Sequence, residues 1–339
     1  MYHTEFLKGT PSVFVVSSPF QTLCAIATIR QLEIEDYQII IVLYRNDVRN
    51  NQIVSILERY KIRYNIRYRG GAWLYKYMMM TSIIQRHSHY KRLFVGDPRS
   101  YLLFFIGCRY VSDNSNVVCL DDGNITLCFL SDRNGNTQSH KRKWFLKLIY
   151  RWRGLEFGNC FLTIYGDIPN RKYSIQTLYL SNVVKGLQLK NTTLKNIYIV
   201  GTYLESYCKP LNIDEGKFIN KLGELMQYLR KNNPNDIIYY ISHGREDKDY
   251  GERLCKYHGC FFIRPKMIVE LELLSMANPP KAIYGYTSSA LYNLKKMFPM
   301  AQVFNILFEL KKENHYYRDY VVCSDYYKRN GIDLIIDKI

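Results

Sequence analysis

The 339-residue sequence lacks any apolar run approaching the ~20 residues that a membrane-spanning helix needs. Its longest run, Tyr101 to Cys108, has the length of a core element. No cleavable leader is expected, because the apolar stretch after Pro11 is only Val13 to Val16. Cysteine is sparse and scattered: nine residues form no C-x-x-C pair, and the closest two, Cys255 and Cys260, have no His or Cys companions at zinc spacing. This excludes a disulfide framework and a zinc ribbon, and it predicts a reduced, cytoplasmic protein. There is no internal repeat, no low-complexity linker and no match to the phosphate loop G-x-x-x-x-G-K-[ST]. Negative charge is also in short supply, with 30 acidic residues against 47 basic ones, a net +17. An excess of that size implies an anionic partner: nucleic acid, a nucleotide-type donor, an anionic polymer or an anionic membrane surface.

What is present is ordinary globular chemistry. The chain is 47% hydrophobic and 23% charged, which rules out a disordered or fibrous protein, and its length favours two domains. Short apolar runs alternate with longer amphipathic ones. Strands are predicted over 12–17, 38–44, 92–95 and 116–120, and helices over 21–32 and 50–60. After a polar, basic middle the alternation returns. Strands are predicted over 196–200, 236–242, 260–263, 281–284 and 301–307. Helices are predicted over 214–231, 266–277, 289–297 and 313–329. Continuous β-branched strands separated by helices indicate parallel sheets covered on both faces. Two such sets make two Rossmann-like halves joined near residues 180–195.

In open α/β sheets, ligands bind beyond the carboxyl ends of the strands. Asp121-Asp122-Gly123 follows the run Val117–Leu120. Adjacent carboxylates repel, and are tolerated where solvent, a cation or a ligand hydroxyl meets them. One would act as general base toward a hydroxyl while its neighbour holds a backbone amide or a second hydroxyl; the alternative is a polar Asp-Gly turn. His243 follows the strand ending at Ser242, where an imidazole can serve a phosphate oxygen or simply cap and pack. Thr287-Ser288-Ser289, after Gly285, opens a helix and so forms either an anion site or a plain N-cap. Glu270 could take a pair of ribose hydroxyls, or be a solvated helical acid. Asp247-Lys248-Asp249 has the D-x-D form of many metal-binding sugar transferases, but it sits in the charged run 245–249, which reads as solvated surface without a metal. Lys141 to Arg153 interleaves six basic residues with Trp, Phe, Leu and Ile; it is either a surface for anionic lipid or polymer, or a helix packed on its domain.

The order and spacing of these elements resemble one known arrangement. Ser17-Ser18-Pro19-Phe20-Gln21, then acid-acid-Gly, then strand-His243-x-Arg-Glu, then Gly285-x-Thr-Ser-Ser-Ala-Leu are similar to the bacterial sialyltransferases of glycosyltransferase family 52 and the related polysialyltransferases. The resemblance implies a GT-B type α/β fold of two Rossmann-like domains facing across a cleft. Residues 1–185 would be the acceptor side, 186–312 the nucleotide-sugar side, and 313–339 a helix and tail. It implies an inverting, metal-independent transferase, without cofactor, that moves sialic acid from CMP-sialic acid to a galactose-terminated or anionic cell-surface glycan. Asp122 would be the general base and Asp121 its flank. His243 would contact the leaving group, and Ser288 and Ser289 the donor phosphate. Thr287, Gly285, Gly244 and Glu270 complete the donor side, and Ser18, Gln21, Gly123 and Asn124 the acceptor side. One departure is Gly244, where the family has proline. The alternatives are another nucleotide sugar as donor, or a basic nucleic-acid or glycan-binding protein without catalysis. Nucleic acid is disfavoured as a partner, because strand-end acids repel phosphate. The expected location is cytoplasmic, peripheral on the inner face of the cell membrane through Lys141–Arg153.

Overall fold

The computed structural model describes residues 8–43, 49–68, 88–131, 151, 153–169, 172–184, 195–246, 248–276 and 278–337. The chain divides into two compact units, Met1–Lys185 and Gly186–Ile339.

The first unit is built on one parallel sheet. Its strands are β1 (Ser12–Val16), β2 (Tyr37–Leu43), β3 (Tyr64–Tyr68), β4 (Arg92–Val95), β5 (Asn116–Cys119), β6 (Cys160–Thr163) and β7 (Ser174–Thr177), in the order β3-β2-β1-β4-β5-β6-β7. Its helices are α1 (Pro19–Gln31), α2 (Arg49–Arg59), α3 (Tyr101–Cys108), α4 (Asn124–Ser131) and the short α5 (Ser181–Val184). All five residues of β1 are buried, so both faces of the central strand are covered. Phe14 and Phe94 stack across β1 and β4 with centroids 4.4 Å apart. The chain reverses its direction across the sheet between β1 and β4, the place where such sheets open a ligand crevice.

The second unit repeats the plan with β8 (Asn196–Val200), β9 (Ile237–Ile241), β10 (Phe261–Ile263), β11 (Pro280–Gly285), β12 (Gln302–Phe308) and β13 (Asp333–Asp337), ordered β10-β9-β8-β11-β12-β13 and all parallel. Its helices are α6 (Leu204–Leu211), α7 (Glu215–Asn232), α8 (Tyr250–His258), α9 (Val269–Ser275), α10 (Ser289–Met297) and α11 (Tyr317–Arg329). Helix α7 shows why the local sequence folds this way. The Asp214 carboxylate caps it by accepting from Lys217 N at 2.8 Å, and Glu215 opens it while Arg230 and Lys231 close it. Phe218, Leu222, Met226 and Leu229 recur at helical spacing and bury one face.

Four strands escape the sequence pattern. β3 (Y-N-I-R-Y) and β7 (S-I-Q-T) alternate polar residues at the sheet edges, β6 is only four residues long, and β13 comes from a segment expected to be a tail after residue 313. β13 instead joins the second sheet beside β12.

The basic stretch Lys141–Arg153 falls mostly outside the described residues. Of its two described members, Arg151 is exposed, whereas Arg153 is buried and does not face a lipid surface. Its Nε donates to Asp113 at 2.6 Å and its Nη atoms to the carbonyls of Cys108 and Val111 at 3.2 Å. Among the described residues no helix is long and apolar enough to cross a membrane.

Arg153 therefore ties α3 and the turn before β5 together. Replacing it with Met keeps much of its volume but leaves Asp113 and two carbonyls without a donor. The expected loss is about 2–3 kcal/mol of unfolding free energy in urea titrations.

Candidate functional site

In the first unit the site grows from the ends of β1, β5 and β6. Leaving β5, the chain places two carboxylates in different surroundings. Asp121 has no exposed surface: it accepts from Gly123 N at 2.7 Å, from Ile164 N at 2.9 Å and from the hydroxyl of Thr163. The Thr126 hydroxyl also reaches it, while accepting from Asp122 N at 2.8 Å. Burial pushes the Asp121 carboxyl up to about 6 against these donors. Asp121 was expected among the catalytic groups. Its oxygens are taken up by the end of β6 and the turn into α4, so it holds the loop, the amide-holding part expected of the acid that flanks the base. Gly123 sits at φ +68°, a left-handed turn that favours glycine. Asn124 begins α4 and is half-buried.

Asp122 is half-buried, and Gln21 Nε2 donates to its Oδ1 at 2.7 Å. Burial is the main cause that raises this carboxyl, to about 7, followed by the nearby charge of Asp97. Gln21 and Arg99 pull the other way. Gln21 is 2% exposed, and its Oε1 accepts from Ser17 N at 2.8 Å and from Ser17 Oγ at 3.3 Å. It was expected on the acceptor side, but its amide is consumed in aligning Asp122 with the end of β1. Ser18, expected beside it, is the N-cap of α1, with Oγ accepting from Gln21 N at 3.2 Å.

In the second unit the ends of β8 and β9 meet closely. A Cβ on Gly201 would lie 2.9 Å from His243 N and 2.7 Å from the Tyr240 hydroxyl, so this junction requires glycine. His243 Nδ1 accepts from Arg245 N at 3.1 Å. A neutral imidazole held this way carries its proton on Nε2, the nitrogen that can donate to an anion. Tyr203 supports both groups: its ring centroid is 5.9 Å from that of His243 and 4.3 Å from the Arg245 guanidinium. Gly244 has no positive φ, so the backbone there does not call for glycine.

The stretch 245–249 is not simply solvated. Glu246 is buried, and its Oε2 accepts from the hydroxyls of Tyr240 at 2.8 Å and Tyr250 at 2.9 Å; burial raises its carboxyl above the ordinary range. Asp247 lies outside the described residues. Among those described, no three His, Cys, Asp or Glu side chains gather as a metal cluster.

The three hydroxyls after Gly285 have three fates. Thr287 sits at φ +40°, and its N donates to Asn305 Oδ1 at 2.7 Å while its hydroxyl engages Tyr207 and Tyr320. It faces the core, contrary to the expected donor contact. Ser288 is the N-cap of α10, accepting from Ala290 N at 3.3 Å, and Ser289 is the first helical residue. Gly285 brings Leu291 close, with 3.0 Å from a would-be Cβ to Leu291 Cδ2. Glu270 is neither solvated nor open to a ribose: it is 4% exposed, and its Oε1 accepts from Asn293 Nδ2 at 2.6 Å, bracing α9 against α10. A ligand hydroxyl would have to displace that bond.

Sequence reasoning passed over two strand ends. Gly96-Asp97-Pro98-Arg99 follows β4, and Gly201-Thr202-Tyr203 follows β8. Each trails a short apolar strand, the same signal that located Asp122 and His243.

No protein-family model matches this sequence, and no curated protein does either. Solved structures do match in fold. The GT-B domain of a sialyltransferase from Photobacterium damselae aligns over 97% of this chain and 100% of its own, at 12% identity and TM-score 0.52. A 2,6-sialyltransferase of a Photobacterium species, solved with CMP and lactose, aligns over 96% of this chain and 78% of its own, at 14% identity and TM-score 0.51. A candidate UDP-N-acetylglucosamine 2-epimerase of Listeria monocytogenes aligns over 94% of this chain and 87% of its own, at 9% identity and TM-score 0.53. The fold is of GT-B type; identities this low carry the architecture and not the chemistry.

Asp121→Ala strips the acceptor from two buried amides and two hydroxyls. It should lower unfolding free energy by about 2–4 kcal/mol, far more than Asp122→Asn, in parallel urea titrations.

Proposed function

We propose that the protein is a glycosyltransferase that moves sialic acid from CMP-sialic acid to a hydroxyl of a galactose-terminated or anionic glycan, with inversion and without a metal in the chemical step. The observation that carries this is Asp122, a half-buried carboxylate at a strand end, aligned by Gln21 and raised to about 7. A general base works best when its proton affinity lies near the operating pH, and a buried carboxylate at this value meets that condition. The CMP- and lactose-bound sialyltransferase of the same fold supports the choice of donor and acceptor class.

In the transfer, Asp122 takes the proton of the acceptor hydroxyl. That oxygen forms the new bond to the anomeric carbon while the bond from this carbon to the phosphate oxygen breaks. CMP departs with the bonding pair. The sugar passes through an oxocarbenium-like state, so charge builds chiefly on the departing phosphate. His243 Nε2–H would donate to it, and Ser289 with the first amides of α10 would receive it, as helix N-termini do for anions. Ser288 orients that helix start through its cap.

A nucleotide-sugar epimerase is the second reading, because the candidate epimerase of Listeria shares the fold. The two differ in what they need: transfer requires an acceptor, and epimerisation does not.

Purified protein incubated with CMP-sialic acid should release CMP only when lactose or sialyllactose is added. Asp122→Asn and His243→Ala should each lower that rate about 100-fold or more, with unchanged near-ultraviolet circular dichroism. Because the base must be deprotonated to act, kcat/KM should fall as pH drops through about 7. Full activity in either variant defeats the assignment, and acceptor-independent turnover of UDP-N-acetylglucosamine favours the epimerase.

A further inference from the structure

The turn into α10 is strained, and the transfer scheme leaves the group that imposes the strain without a part. Five described residues other than glycine have a positive φ, and Thr287, at +40°, is the only β-branched one. A branched side chain is costly in that region, so the conformation persists only where its surroundings impose it. Asn305 supplies the constraint. It lies inside β12, in register with Gly285 of β11 and Leu334 of β13, and has no exposed surface. Its Oδ1 accepts from Thr287 N at 2.7 Å. Its Nδ2 is buried as well, and among the described residues it meets no hydrogen-bond partner. An apolar side chain would fill this interior strand position without burying an unsatisfied donor. What the asparagine contributes is therefore the Oδ1 bond, and that bond is aimed at the turn into α10.

The two sides of the turn are fixed by other contacts. Before it, the Tyr286 ring stacks on Phe308 with centroids 5.5 Å apart. After it, α10 is held through Asn293 Nδ2 to Glu270 Oε1 at 2.6 Å and through the Tyr292 and Tyr326 hydroxyls at 3.2 Å. Thr287 is the joint between them, one residue before the cap Ser288. We propose that Asn305 is a positioning residue: by holding Thr287 left-handed, it sets the direction in which Ser289 and the first amides of α10 face the donor phosphate. The phosphate rests on the transferase reading; the hold on Thr287 does not.

Asn305→Leu and Asn305→Ala both remove the acceptor, the second without any risk of overfilling the site. In crystal structures of either variant, residue 287 should move to a negative φ and the head of α10 should turn with it. Adding Thr287→Gly should restore the positive φ, because glycine takes it at no steric cost, whereas adding Thr287→Ala should not. Asn305→Asp, which keeps an oxygen for the Thr287 amide, should leave the turn in place. In calorimetry on the full-length protein, losing the acceptor should weaken CMP binding about 10-fold, as for one charge-assisted hydrogen bond. Thr287→Gly in the same background should recover most of that loss, and KM for lactose should stay unchanged. A general loosening would not be repaired by glycine, the most flexible residue. A positive φ retained at residue 287 without the Asn305 acceptor overturns the proposal, and so does CMP binding that is equally weak with Gly and Ala at 287. The structures need no ligand, so they decide the hold on Thr287 even if the wild-type protein fails to bind CMP; that failure counts against the donor alone.

Discussion

The first unit depends on keeping two consecutive carboxylates apart in role at the end of β5. Side by side and equally buried, they would repel and neither would be useful. The fold separates them by gathering four donors on Asp121. Gly123 N, Ile164 N and the hydroxyls of Thr163 and Thr126 converge on it, and in doing so tie β5 to β6 and to the start of α4. Among the described residues Asp122 has one side-chain donor, Gln21. Gly123 sits at a positive φ that favours glycine, and its N is one of the donors that hold Asp121.

A similar division of labour appears in the second unit. His243, Arg245 and Glu246 occupy four consecutive positions with Gly244 between them, yet they serve different ends. The imidazole is oriented by Arg245 N to present Nε2, the guanidinium lies over Tyr203, and the Glu246 carboxyl is held inside by two tyrosine hydroxyls. The buried glutamate anchors the loop from beneath, much as Asp121 anchors the turn before Asp122. Thr287 likewise turns its hydroxyl inward and leaves Ser288 and Ser289 at the head of α10. In each place the polar group nearest the catalytic candidate is structural, because a buried strand end needs its backbone amides satisfied before a side chain can be spared.

The GT-B architecture is shared with transferases and with a candidate epimerase, so the fold alone leaves the reaction open. What narrows it is the chemistry of the strand ends: a carboxylate with raised proton affinity in one unit, and a donor imidazole and a helix N-terminus in the other. The surplus of 17 positive charges is compatible with anionic donors and acceptors, although the stretch expected to meet a membrane, Lys141–Arg153, has one of its cations buried against Asp113.

Much of the scaffold was legible from the residues alone. Short uninterrupted runs rich in β-branched residues, such as Val13–Val16 and Ile39–Leu43, read as buried parallel strands, whereas the equally apolar Tyr101–Cys108 forms helix α3. Asp214 followed by apolar residues at helical spacing likewise dictates α7. The strand-end rule then brought Asp122, His243 and the head of α10 into view. Edge strands β3, β7 and β13 were not legible, because an edge is stabilised by pairing with a neighbour and needs little apolar pattern of its own. The resemblance separated Asp122 as base from Asp121 as its flank, but the local pattern could not assign Gln21 and Ser18 to alignment and capping, or bury Glu270 against Asn293. Those outcomes depend on partners far away in the chain, Gln21 being 101 residues from Asp122 and Thr163 being 42 from Asp121. Local pattern determines which residues reach a strand end. Only the packing of neighbouring strands decides which of them finds a partner, and so which remains available for chemistry.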